Sequence, residues 1–262
     1  YPEYGRPGEA DRHRRRIETM LGSGHGLIVN STATREAAED YANRHGWSIP
    51  RCVVAPLAAT SLPTPSDHSP MEKPYFVVVG TIEPRKNHLL LLQLWRQLVH
   101  ELGEAAPRLV IIGRRGWECE QVLDLLDRCT VLKELVVERP YCRDEELSTW
   151  LRHARALLFP SFAEGYGLPI VEALSSRVPV IASNLPVFRE VAQQIPDYLD
   201  PHDGAGWKRT ILDYAQPVSL ARMAQCQRMR TFRAPTWDAH FGMVEQFMRA
   251  VSYTHLTLPT KA

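Results

Sequence analysis

The sequence predicts an α/β fold, in which a parallel sheet carries helices on both faces, together with part of a second unit of the same class. From Lys73 onward, short apolar runs alternate with amphipathic runs, which is the pattern of successive β-α-β units. Residues 1–56 hold only two further apolar runs, so this part is expected to be the end of a domain. Between the two parts, residues 57–72 are rich in proline, serine and threonine and lack hydrophobic periodicity, which is typical of a linker.

The first part of the chain, residues 1–56, is expected to contain two helices and two strands. The helices are predicted over 10–21 and from Asn30 to about His45, and the strands over 27–29 and 52–54. Consecutive basic residues give the first helix a basic face, made by Arg12, His13, Arg14, Arg15 and Arg16. Such a face could contact an anionic membrane or a lipid-linked acceptor, or it could simply be solvated, which is the more common case.

The second part of the chain, from Lys73 onward, is expected to build the sheet. Its strands are predicted over 75–79, 109–112, 135–137, 156–159, 178–181 and 198–199. Its helices are predicted over 89–102, 118–128, 144–153, 170–174 and 187–193, and in pieces over 204–250. The final stretch, 251–262, breaks the helical pattern and contains VSYTHL, a typical product of translated sequencing-adapter DNA, so we expect a non-native tail. Since the chain also begins at Tyr1 without a methionine, we expect a fragment.

Charge and composition exclude several classes of protein. The formal net charge is +1, which argues against a general nucleic-acid-binding protein. No apolar run approaches the ~18 residues of a membrane-spanning helix. The five cysteines are scattered, without a Cys-x-x-Cys pair. We therefore expect reduced thiols in a cytoplasmic protein, and neither a disulfide framework nor a zinc site.

One loop between a predicted strand and a predicted helix carries the strongest chemical signal. Glu164 and Glu172 stand eight positions apart, separated by two glycines and a Leu-Pro step. Pro169 suits the first turn of a helix, where its missing N–H costs nothing, and Gly165 and Gly167 are expected to turn with positive φ and to let a ligand approach. The free amides of a helix start favour phosphate, and carboxylates accept hydrogen bonds from sugar hydroxyls. The alternative is an ordinary turn into a helix with a solvated glutamate.

This stretch, LLFPSFAEGYGLPIVE, resembles the signature of the retaining nucleotide-sugar glycosyltransferases of family 4, enzymes of the GT-B type with two facing Rossmann-like domains. The resemblance covers roughly residues 22–250. It implies that 73–235 is the C-terminal nucleotide-sugar-binding domain and that 1–56 is the truncated end of the N-terminal, acceptor-binding domain. It also implies that 57–72 is the interdomain linker and that a helix over 236–250 crosses back to the N-terminal domain.

The resemblance implies a role for each residue that matches the signature. Glu164 would contact the donor sugar, and Glu172, expected in the first helical turn, would bind the ribose hydroxyls. The amides between them would meet the sugar and the diphosphate, and they belong to Gly165, Tyr166, Gly167 and Leu168.

A second loop, GTIEPRKN at 80–87, carries the positive charge that a diphosphate requires. Arg85 and Lys86 stand side by side just before a predicted helix; lysine is a point charge for phosphate, and arginine can bind two oxygens at once. The resemblance implies that this pair neutralises the leaving diphosphate, with Arg85 replacing the arginine that the family often has where Thr81 stands. Gly80 and Thr81 are expected to line the donor site. The alternative is a solvated helix start.

Two further loops give weaker signals. In the loop 113–116, Gly113 is expected to let the backbone pass close to the nucleotide. The resemblance implies that the loop made by Arg139, Pro140 and Tyr141 contacts the base. A glycine that the family often has before this loop is missing, so the sequence does not say which base is bound.

The combined interpretation is a glycosyltransferase that moves a hexose, with mannose suggested by the GTIEPRKN variant, from a nucleotide-diphosphate donor to a polysaccharide or lipid-linked glycan. Since the chain has no Asp-x-Asp motif, no metal cofactor is expected, and cationic side chains would neutralise the diphosphate. Peripheral contact with the inner face of the membrane is a further expectation. Two alternatives stay open: a non-catalytic nucleotide-sugar-binding module, and a related epimerase, which should lack the paired glutamates. A nicotinamide dehydrogenase is disfavoured because the loop after the first strand is not G-x-G-x-x-G.

Overall fold

The structure, a computed structural model, describes residues 2–256, with side chains described over 3–252. The chain divides into two compact units, which we call the first unit (residues 1–59 and 234–262) and the second unit (residues 60–233). Residues 60–72, which the sequence assigned to a linker, fall within the second unit and have no helix or strand. The described helix after 234 falls within the first unit.

The first unit contains helix α1 (Glu9–Ser23), strand β1 (Gly26–Val29), helix α2 (Thr32–His45) and strand β2 (Arg51–Val54), and it is completed from the other end of the chain by helix α10 (Trp237–Leu256). Strands β1 and β2 pair in parallel, with Leu27 opposite Cys52. The hydroxyl of Ser31 accepts a hydrogen bond of 3.1 Å from the N–H of Thr34 and so caps α2. The five basic side chains of α1, residues 12–16, are exposed, as both interpretations of this face require.

Helix α10 is longer than the sequence predicted. We expected the helix to end at residue 250, where β-branched residues and a proline follow, but it continues through Leu256. Residues 257–262 of the predicted tail lie outside the described residues, and the non-native origin of the tail stays a prediction.

The second unit contains the other six strands and seven helices that the structure describes. In chain order they are β3 (Tyr75–Val79), α3 (His88–Leu102), β4 (Arg108–Ile112), α4 (Glu120–Arg128), β5 (Val136–Arg139), α5 (Asp144–His153), β6 (Leu157–Phe159), α6 (Leu168–Ser175), β7 (Val180–Ser183), α7 (Pro186–Ala192), β8 (Asp197–Leu199), α8 (Gly204–Ala215) and α9 (Leu220–Arg228). The strands form one parallel sheet in the order β5-β4-β3-β6-β7-β8. Each predicted strand therefore exists, with small shifts at its ends.

The middle of this sheet is buried, which explains why its strands are continuous apolar runs. All five residues of β4 and all three of β6 are buried, as expected for parallel strands covered on both faces. Helix α3 packs a stripe of leucines and Trp95 into the core, and the indole N–H of Trp95 donates a hydrogen bond of 2.8 Å to the carbonyl of Pro107. The order of the strands then decides which loops meet at the edge of the sheet.

Candidate active site

The two chemically loaded loops follow neighbouring strands at the centre of the second unit. Strand β3 lies beside β6, and from this pair the chain winds outward in both directions, to β5 on one side and to β8 on the other. In open α/β sheets, ligands bind at the carboxyl ends of the strands where the winding reverses. The loops that start there are 80–87, after β3, and 160–167, after β6. The topology therefore brings together the two motifs that the sequence singled out.

Hydrogen bonds connect these two loops to each other. The side-chain amide of Asn87 donates to the carbonyl of Pro160 at 3.2 Å and to the carbonyl of Pro201 at 3.1 Å. The N–H of Phe162 donates to the carbonyl of Arg85 at 2.9 Å. Because each loop satisfies backbone groups of the other, their side chains are held in a defined arrangement.

The carboxylate of Glu164 lies at the centre of this arrangement. The ammonium of Lys86 is 2.5 Å from one of its oxygens, and the hydroxyl of Ser161 donates to the same oxygen at 3.0 Å. The guanidinium of Arg85 is 2.6 Å from the other oxygen. The side chains of Glu164 and Lys86 are only 10% and 11% exposed. Both oxygens of this nearly buried carboxylate are thus paired with cations.

The charges of this cluster balance within the protein itself. Arg85 also pairs with the buried carboxylate of Glu83 and donates to the carbonyl of Ala163 at 2.9 Å. Two cations therefore face two carboxylates. An incoming diphosphate would have to compete with Glu164 for Lys86 or Arg85, and a sugar hydroxyl could then donate to the released carboxylate oxygen.

Lys86 is placed by apolar contacts as well as by charge. Its ammonium lies 4.6 Å from the centre of the Phe159 ring, a cation–π contact. Its aliphatic stem runs past Gly80, where an added β-carbon would come within 3.4 Å of the lysine Cε. That distance is an ordinary van der Waals contact, and glycine is favoured at position 80 by its φ of 138°.

The turn into α6 has the predicted form with two corrections. Gly167 precedes the helix with φ of 96°, and a β-carbon there would lie 2.9 Å from the Phe188 ring, so glycine is required. The expectation that Gly165 also turns with positive φ is wrong, because it is not among the described glycines with that conformation. Pro169 has no N–H, and the N–H of Ile170 donates to the carbonyl of Gly167 at 2.9 Å. The first turn of α6 therefore offers fewer free amides to an anion than the sequence predicted.

The two residues that follow these glycines, Tyr166 and Leu168, differ in exposure. Tyr166 is buried, and Leu168, the first residue of α6, is half-buried. Their backbone amides are still the groups that the resemblance assigns to the sugar and the diphosphate, and this role stays a prediction.

Glu172 lies on α6 in a different environment from that of Glu164. It is the fifth residue of the helix, and so it stands in the second turn and not in the first as predicted. Its carboxylate is half-buried, and hydrogen bonding by Thr60 is among the causes that act on its pKa. Burial raises the pKa of Glu172, the nearby charge of Asp144 raises it further, and the Thr60 bonds oppose this shift. Among residues 3–252, no cation belongs to the groups that shift the pKa of this carboxylate.

The structure shows why glycine stands at position 113, which the sequence did not reveal. Its φ is 154°, and an added β-carbon would lie 2.0 Å from the carbonyl oxygen of Gly80. The glycine therefore allows the loops after β3 and β4 to pack backbone to backbone, whereas the sequence assigned it to a close approach of the nucleotide. Thr81 is half-buried in the same contact, beside Gly116. The guanidinium of Arg115 forms ion pairs with Asp127 and Glu138.

The predicted base-contacting loop lies beside a cavity of about 470 Å³. The residues that line this cavity are Arg114, Pro140, Tyr141, Cys142, Arg143 and Glu146. Tyr141 is 74% exposed, and the guanidinium of Arg114 lies 4.9 Å from the centre of its ring. Arg139 instead lies over the ring of Trp150, at 5.4 Å. The structure thus brings Pro140 and Tyr141 to the cavity, adds Arg114, and places Arg139 on a neighbouring aromatic ring.

Four residues that the sequence did not select contribute to the candidate site: Ser161, Glu83, Asn87 and Thr60. The first three lie within the two motif loops, so their position in the chain could have drawn attention to them. Thr60 gave no such signal, because it lies in a proline-rich segment far from either motif.

The described residues contain no group of three or more His, Cys, Asp or Glu side chains that could hold a metal ion. Metal independence stays a prediction, since it depends on the donor complex. None of the helices within residues 2–256 is long and apolar enough to cross a bilayer.

The comparisons with known proteins agree on one class. A family model described as "Glycosyl transferases group 1" matches residues 65–195. The O-antigen chain mannosyltransferase B of Escherichia coli is 35% identical over 164 residues, which cover 63% of this chain and 42% of that protein. The O-antigen chain mannosyltransferase RfbU of Salmonella typhimurium is 31% identical over 157 residues, covering 56% of this chain and 40% of that protein. The chain thus spans about two fifths of the length of these curated relatives.

Solved structures confirm the predicted fold class. An α,α-trehalose-phosphate synthase from Burkholderia vietnamiensis has a TM-score of 0.72 at 12% identity and covers 95% of this chain and 65% of that one. The sucrose-phosphate synthase of Thermosynechococcus elongatus has a TM-score of 0.69 at 20% identity, over 94% of this chain and 64% of that one. These similarities establish an α/β fold of the GT-B glycosyltransferase type, with helices on both faces of a parallel sheet.

Proposed function

We propose that this chain, which belongs to the glycosyl transferases group 1 family, carries the donor-binding part of a retaining hexosyltransferase of family 4. The donor is a nucleotide-diphosphate sugar, and the acceptor is a polysaccharide or a lipid-linked glycan. Mannose is the proposed sugar, because several relatives are named as mannosyltransferases, two of them for the O-antigen chain.

One observation carries this proposal: Glu164, Lys86 and Arg85 meet in a nearly buried cluster at the point where the strand order reverses. Such a cluster can exchange one anion for another. When a diphosphate enters, it takes over the cations, and each charge-assisted hydrogen bond contributes about 1.5–3 kcal/mol. The released carboxylate of Glu164 then accepts hydrogen bonds from the sugar hydroxyls and orients the anomeric carbon.

The remaining residues complete the donor site in this proposal. Glu172 accepts hydrogen bonds from the ribose hydroxyls, and the amides of 165–168 contact the sugar and the diphosphate. Gly80 and Thr81 line the floor of the site, and Gly113 supports it by allowing the two loops to pack. Pro140 and Tyr141 contact the base at the cavity beside α5.

In the transfer step, the bond between the anomeric carbon and the diphosphate oxygen breaks, and a bond to an acceptor hydroxyl forms. Negative charge grows on the leaving diphosphate as the first bond breaks. Lys86 and Arg85 stabilise that charge in surroundings from which water is largely excluded. We propose that these two cations make a metal ion unnecessary. The hydroxyl proton leaves to a group that the described residues do not identify.

The proposed location is cytoplasmic, with peripheral contact at the inner face of the membrane. All five cysteines are free thiols in the structure, as expected in a reducing compartment. The exposed basic face of α1 is the candidate surface for an anionic membrane or a lipid-linked acceptor.

A binding experiment tests the role of the lysine. Calorimetric titration of the chain with GDP, UDP and the matching nucleosides should show tighter binding of the diphosphates. Lys86→Ala should remove this preference, because the diphosphate loses its point-charge partner. Lys208→Ala is the matched control, since Lys208 pairs with Glu101 on the surface of α3. A variant Lys86→Ala that keeps the full preference would remove Lys86 from the site.

A second experiment separates the proposed enzyme from a binding module. Transfer of mannose from GDP-mannose by the longer protein, set beside binding to this chain, should show both activities. Binding without any transfer would favour the non-catalytic module. Interconversion of the sugar on the nucleotide, without an acceptor, would favour the epimerase.

A further inference from the structure

Arg85 has two carboxylate partners, and they contact different nitrogens of its guanidinium. Nη1 lies 2.6 Å from an oxygen of Glu164 and donates to the carbonyl of Ala163 at 2.9 Å. Nη2 pairs with the carboxylate of Glu83, which stands two positions before the arginine. A ligand that takes the place of Glu164 on Nη1 therefore leaves the pair with Glu83 intact.

The carboxylate of Glu83 is less accessible to a ligand than the arginine is. Its side chain is 6% exposed, whereas that of Arg85 is 31% exposed. The backbone around it is also held, because the N–H of Lys86 donates to the carbonyl of Glu83 at 3.1 Å. The neighbouring Ile82 makes backbone hydrogen bonds of 2.8 and 2.9 Å with the loop after β4. Glu83 is therefore a fixed partner of the arginine, whereas Arg85 still presents part of its surface to a ligand.

This fixed partner changes the charge that a ligand meets. Lys86 and Arg85 carry two positive charges, and the carboxylate of Glu83 compensates one of them whether or not Glu164 has been displaced. If the charge of Glu83 were removed, the attraction between the cations and a bound phosphate would increase. The increase in affinity depends on the charge of the ligand itself, because each of its negative charges contributes to the interaction.

The donor and the product of the proposed reaction differ in charge. The diphosphate of a sugar nucleotide is esterified at both ends, whereas the product has a free terminal phosphate. Because the second pKa of a terminal phosphate is about 6, the product carries nearly one more negative charge than the donor at pH 7. Two uncompensated cations would therefore favour the product over the donor, and product release limits the turnover of many enzymes.

We propose that Glu83 is the permanent counter-charge of Arg85, which lowers the affinity of the site for the free nucleoside diphosphate and so favours its release after transfer. This inference rests on the proposed function, since it takes Arg85 and Lys86 as the groups that bind the diphosphate. Because Glu83 acts through Arg85, it is a positioning residue and not a catalytic one. It adds a buried carboxylate outside the pair formed by Glu164 and Glu172 to the determinants of the reaction.

The test is Glu83→Gln, which removes the charge and keeps an oxygen that can accept a hydrogen bond from Arg85. Calorimetric titrations at pH 7 with GDP and with GDP-mannose give the affinities for product and donor. GDP should bind about 10-fold more tightly to the variant, and GDP-mannose about 3-fold more tightly, because the more highly charged ligand gains more. Glu83→Asp keeps the charge and should keep the ratio of the two affinities found in the unmodified chain.

The matched control is Glu104→Gln. Glu104 also pairs with a lysine and an arginine, Lys73 and Arg108, but it is 69% exposed, and Arg108 begins β4 at the amino ends of the strands. This variant should bind both ligands as the unmodified chain does. If Glu83→Gln did not fold, the double variant Glu83→Gln/Arg85→Gln would replace it, and it should bind GDP more tightly than Arg85→Gln does.

The outcomes separate the inference from the proposed function. If removing the charge of Glu83 left the affinity for GDP unchanged or lowered it, or raised both affinities equally, the inference would be overturned. The unmodified chain would still bind GDP in that case, so the proposed function would stand. If the unmodified chain bound UDP in place of GDP, the same comparison would be made with UDP and UDP-glucose. If it bound neither GDP nor UDP, the proposed function itself would fail.

Discussion

The surroundings of Glu164 and of Glu172 differ in how the charge of each carboxylate is compensated. Glu164 is paired with Lys86 and Arg85, so its charge is balanced by opposite charges at 2.5 and 2.6 Å. Glu172 is half-buried, and among the described residues the groups that shift its pKa are the neutral donors of Thr60 and the like charge of Asp144. One site holds a charge network, and the other holds a single uncompensated charge.

This difference indicates which ligand group each site can accept. In such a cluster, an external anion such as a diphosphate can take over the cations that the internal carboxylate pairs with. A carboxylate with neutral partners is suited to neutral donors, such as hydroxyls. The first region is therefore suited to the diphosphate of a sugar nucleotide, and the second is suited to its hydroxyls. Substitutions of the two glutamates should have opposite effects on the free energy of unfolding.

The largest change in the free energy of unfolding is expected from Glu164→Gln. This change leaves the nearly buried Lys86 and the partly buried Arg85 without their shared counter-charge, and unpairing a buried charge costs about 3 kcal/mol or more. Urea unfolding at pH 7 should therefore show a loss of about 3 kcal/mol in the free energy of unfolding. Saturating GDP should raise the free energy of unfolding more in this variant than in the unmodified chain, because the diphosphate supplies the missing negative charge.

The control for this prediction is Glu101→Gln, which breaks the exposed pair with Lys208. Surface pairs contribute about 0–1 kcal/mol, so this variant should lose far less stability. Equal losses in the two variants would show that the Glu164 cluster is not a buried network, and the comparison between the two glutamates would fail.

The next largest effect on stability is expected at His88, the first residue of α3, which is close enough to Lys86 to be influenced by its charge. It is 1% exposed, and neither ring nitrogen has a hydrogen-bond partner among the described residues. Burial, and secondarily the charge of Lys86, lowers the pKa of His88 to about 4. The unfolded chain, with a histidine pKa of about 6.5, therefore binds the proton more tightly than the folded chain does.

Stability from His88 is thus complete above about pH 6.5 and is lost as the pH falls toward 4, by about 3 kcal/mol in total. His88→Leu should remove this part of the acid sensitivity, as measured by urea unfolding at pH 7, 6 and 5. His100→Leu changes an exposed histidine of the same helix and should leave the acid sensitivity as it is. If the stability of both variants fell equally as the pH is lowered, the His88 ring would have to be in contact with water and not buried in the core.

Much of the fold and part of the site could be predicted from the sequence. Continuous apolar runs such as residues 109–112 are typical of buried parallel strands, and their alternation with helices implies the sheet. The meeting of Lys86 and Glu164 also follows from the sequence, because each stands a few residues after a strand, and the carboxyl ends of neighbouring parallel strands share one edge.

The features of the site that could not be predicted depend on irregular backbone, whose sequence carries no periodic signal. The sequence could not show that Thr60 acts on Glu172, because residues 60–66 have no helix or strand and so no periodicity that would place them. It also could not show why residue 113 is glycine, since the reason is the carbonyl of Gly80. Arg139 was selected because the resemblance assigns its loop to the base. Its guanidinium lies over the ring of Trp150, a contact that depends on three-dimensional packing.

The smallest effect is expected from Glu172→Gln, and its sign opposes that of Glu164→Gln. Because the folded-state pKa of Glu172 is raised above 4.5, the folded chain holds the proton more tightly, and stability is lost as the pH rises through the folded-state pKa. Glutamine is neutral at every pH and can still accept from Thr60. The variant should therefore be more stable than the unmodified chain at pH 7, by less than about 1 kcal/mol, and the difference should vanish below pH 4.5. Its affinity for GDP or UDP should nevertheless fall about 10-fold or more, since a charged acceptor is lost. If urea unfolding at pH 7 showed a clear loss of stability instead, Glu172 would need an unrecognised cation, and the two glutamates would not differ in kind.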